Sequence, residues 1–202
     1  MKDNNFKTGT TTVGIVCKDG VVLAAEKKAT MGYLIANKSV KKIIKLSDYM
    51  AMTTAGSVGD AQALERYIKA EIKIYELEEE ARMPVKAVAT LLSNILHSTR
   101  FFPYIVQLLI GGYDEKPRLF SFDPTGSFIE EKKFFSTGSG SVMALGVLED
   151  SYKKEINTKE GESLAIRAIK AAIQRDIASG GEGIDVAVVD KDGVHFSENV
   201  MV

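Results

Sequence analysis

The chain's first regular pattern has period two. Thr12-Val13-Gly14-Ile15-Val16-Cys17 and Val21-Val22-Leu23-Ala24-Ala25 flank Lys18-Asp19-Gly20, which predicts antiparallel strands joined at an Asp-Gly turn. Two more strands are expected near 42–46 and 49–55. The period then lengthens. Ser57, with Asp60 three residues on, is a helix-start signal of the capping-box kind. Ala61, Leu64, Ile68, Ile72 and Tyr75 fall on one helical face, so a long amphipathic helix follows. Its far end carries Glu78, Glu79 and Glu80, which oppose the helix dipole. Either that end frays or basic groups of a partner offset the charge.

Met83-Pro84 punctuates the pattern, and Val85, Val88, Leu92 and Ile95 line a second helix, widened by Ala89, Leu91 and Leu96. Strands return at 104–113, 118–123 and 127–135, the last two joined by the turn Asp123-Pro124-Thr125-Gly126. After Thr137-Gly138-Ser139-Gly140-Ser141 come two further helices. The second is expected over about 158–178, with Ile166, Ile169, Ile173 and Ile177 as its stripe. A Ser179-Gly180-Gly181 loop then leads to a final hairpin, 184–190 and 194–196. Strands, two helices, strands, two helices, strands is an α+β order with antiparallel sheets. Two helix pairs and enough strands for two sheets predict four layers, helices outside and sheets within.

Composition narrows the chemistry. The 202 residues carry 26 Lys+Arg against 27 Asp+Glu, two His, one Cys and no Trp. The near-zero net charge gives no electrostatic footprint for nucleic acid or for an anionic membrane. The run Lys38, Lys41, Lys42, Lys45 reads by default as a solvated strand edge. Cys17 alone cannot form an internal disulfide and reads as a small core residue. His97 and His195, about a hundred positions apart, offer no zinc-ligand spacing, so no metal or cofactor is expected. No apolar stretch reaches membrane-spanning length. Residues 1–9 are polar and lack the apolar region of a signal peptide. A cytoplasmic protein is expected.

Conventional nucleophile pairs, Ser-His or Cys-His, find little support here. Gly138-Ser139-Gly140-Ser141 lacks the lysine of a phosphate-binding loop, and Ser179-Gly180-Gly181 is most simply a helix stop. The start of the chain is different. Gly9-Thr10-Thr11-Thr12-Val13-Gly14 sets a threonine at the mouth of the first strand. Its bland reading is a turn followed by strand formers. Its sharper one is that the Gly9–Thr10 bond is cut. Thr10 would then hold a free α-amine, a group that ordinarily titrates at about 7.7–8.0 and can act as general base on its own hydroxyl. Glu26, on the facing strand, could accept from a lysine, and Lys42 could bring positive charge to Thr10. By periodicity alone, both are equally surface charges.

With these residues in place, the sequence resembles a β-type subunit of the proteasome core particle, of the archaeal kind, from about Gly9 to Asp192. Five segments carry the resemblance in order. The first two are Gly9-Thr10-Thr11-Thr12-Val13-Gly14 and Thr54-Ala55-Gly56-Ser57-Val58-Gly59-Asp60-Ala61-Gln62. The others are Ala89-Thr90-Leu91-Leu92-Ser93-Asn94-Ile95-Leu96, Ser136-Thr137-Gly138-Ser139-Gly140-Ser141 and Arg175-Asp176-Ile177-Ala178-Ser179-Gly180-Gly181.

The resemblance implies an N-terminal-nucleophile hydrolase fold, a four-layer αββα sandwich. It implies a propeptide, residues 1–9, removed by autocatalytic cleavage between Gly9 and Thr10, and one peptidase domain, 10–202. The implied activity is a threonine endopeptidase that hydrolyses unfolded polypeptides inside a ring-shaped chamber. Thr10 falls at the nucleophile, Glu26 and Lys42 at the acid–lysine pair, and the Gly56 N–H at the oxyanion donor. Ser139, Asp176 and Ser179 match residues that bracket the threonine amine. The pair usually has Asp where Glu26 stands, one methylene longer. Ala29, Val40, Ile44, Thr54, Val58 and Gln62 match the S1 pocket, which receives the residue before the scissile bond. None is charged, so cleavage after apolar residues is expected. Implied partners are other β subunits in a ring, α-type subunits and, indirectly, an ATPase cap. The alternative is a dormant or structural ring member whose propeptide stays uncut without partner subunits.

Overall fold

The structure is a computed structural model that describes residues 9–200. Its strands and helices follow the expected order. β1 (Thr11–Val16), β2 (Gly20–Glu26), β3 (Ala29–Met31), β4 (Leu34–Asn37), β5 (Ile43–Ser47) and β6 (Met50–Gly56) precede α1 (Val58–Glu79) and α2 (Val85–Ser98). Then come β7 (Val106–Tyr113), β8 (Pro117–Phe122), β9 (Phe128–Glu131) and β10 (Phe134–Gly138). α3 (Ser141–Ser151), α4 (Thr158–Ile173), β11 (Ile184–Asp190) and β12 (Gly193–Val200) complete the chain.

Two five-stranded antiparallel sheets form, in the orders β10-β1-β2-β11-β12 and β5-β6-β7-β8-β9. β2 shows why they stack. Alternate side chains of a strand face opposite ways, and all seven β2 residues are buried. Val21, Leu23 and Ala25 pack with Ile43, Ala51, Leu109 and Leu119 between the sheets. Val22 and Ala24 face Leu164, Ala165, Ala168 and Ile169 of α4. On the other flank, Leu64, Ile68, Val88 and Leu92 of α1 and α2 cover Met50, Met52, Leu108 and Ile110. Three apolar seams therefore hold four layers, as the element order predicts.

Four expectations need correction. The segment 127–135 is not one strand. It breaks at Lys132-Lys133, so that β9 pairs with β8 while β10 crosses to β1 in the other sheet. α4 stops at Ile173, and Ile177 is 82% exposed. The buried stripe is Leu164, Ala165, Ala168, Ile169 and Ala172, because small residues let the helix lie close on β1 and β2. A two-stranded sheet, β3 with β4, was not foreseen; its exposed residues lack the alternation that marks a half-buried strand. Finally, Ser57 caps α1 by accepting from Asp60 N, but the reciprocal bond is absent, and Asp60 Oδ2 accepts from Ile105 N at 2.9 Å instead.

α1 stays helical to Glu79 with no basic residue in its last turn, and Glu80 closes it in the left-handed region. No described helix is long and apolar enough to cross a membrane. Cys17 is buried as expected, and burial, aided by Asp19, Glu160 and Glu162, pushes its thiol up to about 12. It touches α4 at Gly161, where an added Cβ would lie 2.6 Å from Cys17 Sγ. Gly161→Ala is therefore expected to overpack this seam and lower stability by about 1–3 kcal/mol. Urea unfolding should show most of that loss recovered in Gly161→Ala/Cys17→Ala; a double variant no more stable than the single one would refute the contact.

Candidate active site

The ends of β1, β2 and β5 and two connections, 138–141 and 174–183, meet around Thr10. Thr10 is 4% exposed and directly precedes β1. With the Gly9–Thr10 bond joined, Thr10 Oγ1 donates to Gly9 O at 2.6 Å, and Lys42 Nζ donates to the same hydroxyl at 3.0 Å. Lys42 is 5% exposed and Glu26 fully buried. The surface reading of these two residues is thus overturned, and so is the solvated-edge reading of the lysine run at Lys42. Lys41 and Lys45 do remain at the surface, paired with Glu198 and Asp48.

Glu26 is saturated with donors. Its Oε1 accepts from Lys42 Nζ and Thr11 N, and its Oε2 from Lys28 N and Gly180 N. Lys42 has three acceptors, Glu26 Oε1, Thr10 Oγ1 and, at 2.5 Å, the Lys28 carbonyl. Burial pushes the Glu26 carboxyl up and the Lys42 ammonium down from their ordinary values, and each partner's charge opposes the other's shift. Every group around Glu26 donates, so the cage is shaped for its ionised form. The longer Glu side chain reaches Lys42 Nζ.

On the other side of Thr10 lies a hydroxyl–carboxylate chain. Thr10 N donates to Ser139 Oγ at 3.3 Å, and Ser139 Oγ and Ser179 Oγ each stand 2.6 Å from Asp176 Oδ2. Thr11 Oγ1 lies 2.6 Å from Ser179 Oγ. The two glycine-bearing loops thus come together at the threonine. Gly138 has φ +93°, and a Cβ there would sit 2.0 Å from Thr10 O. Gly56 has φ +117° and lies against Ile105 O. Both positions need a residue without a side chain.

A cavity of about 650 Å³ opens at Gly9 and Thr10. Ala29, Val40, Ile44, Thr54, Val58 and Gln62 all line it, beside Gly56. The expectation of a wholly uncharged pocket is corrected: Lys28, Lys41, Lys42, Lys45, Glu65, Lys69, Asp185 and Glu198 line it as well. Two pairs there, Lys69–Glu65 at 2.6 Å and Lys41–Glu198 at 2.5 Å, neutralise one another. The Thr30 hydroxyl on the cavity wall is buried without a partner among the described residues.

The chain matches the family model described as proteasome subunit over residues 6–189. It belongs to that family. A Ferroglobus placidus protein named proteasome subunit beta is 58% identical over 98% of this chain and 94% of its own length. Its Archaeoglobus fulgidus namesake is 56% identical over 95% and 90%. An Ignicoccus hospitalis protein, proteasome subunit beta 2, is 58% identical over 92% and 87%. The four helices and two antiparallel sheets agree with the sandwich expected of an N-terminal-nucleophile hydrolase, and the function is that of a proteasome core peptidase subunit.

Sequence reasoning missed the backbone half of this site. The Lys28 carbonyl and the Thr11 and Gly180 N–H groups carry no side-chain signal. Thr11 itself was legible only as part of a threonine run. Lys27, 3% exposed and paired with Asp185 at 3.2 Å, was likewise missed. Neither His97 nor His195 lines the cavity at Thr10.

The asymmetry of the buried pair makes a prediction. Losing Lys42 leaves Glu26 three backbone donors, whereas losing Glu26 leaves Lys42 two neutral oxygens, and only the Lys28 carbonyl once Thr10 is Ala. In a Thr10→Ala background, Glu26→Ala is expected to cost about 3–5 kcal/mol and Lys42→Met clearly less. Chemical denaturation of both variants measures this, and the reverse order would refute the donor accounting.

Proposed function

We propose that the chain is a threonine endopeptidase, made active by cutting its own Gly9–Thr10 bond, that hydrolyses unfolded polypeptides inside a ring-shaped chamber. The observation that carries this reading is the buried Lys42–Glu26 pair placed under Thr10 Oγ1, 3.0 Å from Lys42 Nζ. The relatives' names, proteasome subunit beta, support the assembly. β-type neighbours, α-type subunits, an indirectly acting ATPase cap and a cytoplasmic setting belong to the same proposal. Of the propeptide, residues 1–8 lie outside the described residues.

Before cleavage Thr10 N is an amide, whose delocalised lone pair cannot serve as a base. The basic group within reach of the hydroxyl is then Lys42, whose ammonium burial pushes below its ordinary value, against the opposing charge of Glu26. Thr10 Oγ1 attacks the Gly9 carbonyl carbon as its proton passes to Lys42 Nζ, the C–N bond breaks, and that proton goes to the departing nitrogen, which becomes a neutral α-amine. Water hydrolyses the resulting ester and releases residues 1–9. In later turnovers the free α-amine takes the hydroxyl proton, and Lys42 steadies the developing alkoxide. The Gly56 N–H receives the oxyanion. The amine returns its proton to the leaving nitrogen, and a water molecule repeats the sequence on the acyl-enzyme. Ser139, Asp176 and Ser179 hold the amine and its water. The apolar walls Val40, Ile44 and Val58 favour apolar residues before the scissile bond. A purely structural ring member would gain nothing from burying an ammonium and a carboxylate beneath a threonine, and that reading is not favoured.

Intact mass of the assembled protein should show residues 1–9 lost, and Thr10→Ala should retain them and reduce peptide hydrolysis at least about 10³-fold. Hydrolysis by Thr10→Ala at the unaltered rate would overturn the mechanism. Because the amine acts as base when unprotonated, kcat/KM is expected to rise with pH through about 7–8. A profile flat from pH 5 to 9 would exclude the amine as base.

A further inference from the structure

Lys27 and Asp185 form a buried ion pair that the mechanism above does not use; their side chains are 3% and 6% exposed. Lys27 follows Glu26 directly, in the short connection between β2 and β3. Lys28, next in line, serves both members of the Glu26–Lys42 pair. Its N–H donates to Glu26 Oε2 at 2.7 Å, and its carbonyl accepts from Lys42 Nζ at 2.5 Å. Backbone bonds tie this connection to two loops, through Gly180 O and Val40 N. The Lys27 side chain instead reaches β11 and β12. Its Nζ lies 3.2 Å from Asp185 Oδ1 and donates to Asn199 Oδ1 at 2.5 Å.

Asn199 reaches Lys27 because β12 bulges there. Ile184 pairs with Val200 and Val186 with Ser197, so Glu198 and Asn199 together stand opposite the single residue Asp185. An extra residue of this kind re-aims a side chain. Asn199 adopts φ +57°, a left-handed conformation that Asn tolerates better than most residues. Its N–H donates to Asp185 Oδ1 at 3.1 Å. Glu198, the other bulged residue, pairs with Lys41, the residue directly before Lys42. One bulge thus grips the chain beside Glu26 and beside Lys42. The Lys41–Glu198 pair is exposed on both sides and adds little by itself. The Lys27–Asp185–Asn199 contact is the one sealed from water.

We propose that Asn199 is a positioning residue for the peptidase. Through Lys27, the β12 bulge sets the Lys28 peptide, and so the spacing of Glu26, Lys42 and the Thr10 hydroxyl. The inference rests on the threonine-peptidase reading and extends it to a residue that acts only through others. A buried ion pair gains a fold little over apolar packing. What Lys27 and Asp185 add is direction: the ammonium must point at Asp185 and Asn199, and the peptide that carries it is held accordingly.

The test compares Asn199→Gly with Asn199→Asp in the assembled particle. Glycine tolerates the positive φ and removes the acceptor, whereas aspartate keeps an oxygen for Lys27. Hydrolysis of a fluorogenic peptide is counted per subunit freed of residues 1–9, a fraction read from intact mass. Asn199→Gly is expected to lower kcat about tenfold with KM within about twofold, because displaced reacting groups cost rate rather than binding. Asn199→Asp should restore kcat to within about threefold of the unaltered protein. Lys27→Met/Asp185→Asn, which removes both charges together, carries the same expectation as Asn199→Gly if that variant does not assemble. An unchanged kcat in the variant that assembles, a loss confined to KM, or an aspartate variant as slow as the glycine one overturns this inference. Each leaves the peptidase reading standing. Hydrolysis that does not depend on Thr10 overturns both.

Discussion

An ammonium and a carboxylate buried together are tolerable only when nearly every donor and acceptor between them is matched. In this protein that requirement organises the site. Glu26 draws N–H groups from Thr11 at the start of β1, from Lys28 just past β2 and from Gly180 in the loop after α4. Lys42, just ahead of β5, needs Glu26, the Lys28 carbonyl and the Thr10 hydroxyl. Segments from both sheets and from one helix connection must therefore converge on one point. A slip of one residue in the β1–β2 register would turn Glu26 to the opposite face and leave Lys42 uncompensated.

The four layers make that convergence possible. β2 is buried on both faces, by α4 on one side and by the second sheet on the other, so its end lies deep without any loop burying itself. β1 lies between β2 and β10, which places Thr10 beside Gly138 and Ser139 at the far end of β10. α4 ends at Ile173, early enough for 174–183 to fold back and bring Asp176 and Ser179 to the threonine. Had the helix run on to Ala178, as its isoleucine spacing suggests, Asp176 would have been carried along the helix axis and away from Ser139.

That helix end shows where legibility in the sequence stops. Period-two segments with an Asp-Gly turn, and helices with broad apolar faces, are enough to place the layers and their order. Thr10, Glu26 and Lys42 were nameable as residue types, and their family resemblance placed them together. Periodicity could not do so, because a buried charge and an exposed one occupy the same kind of polar position in a pattern. The helix end at Ile173 and the break between β9 and β10 depend on where other elements leave room. The donors around Glu26 are backbone groups, identical in every residue. Their positions follow only from the assembled fold.

The arrangement also bears on how one threonine could serve both in self-cleavage and in the proposed turnover. While Gly9 is attached, Thr10 N is a donor, and Ser139 Oγ accepts from it. Once freed, the same nitrogen has a lone pair and can accept in turn, so the serine hydroxyl serves either state without moving. Asp176, reached through Ser139, favours the protonated amine, whereas Lys42, close to the hydroxyl, favours the neutral one. A base that must take a proton and return it within each cycle works best when neither form dominates. Under the proposed mechanism, the charges on the two sides of Thr10 act on that amine in opposite senses, with no histidine involved.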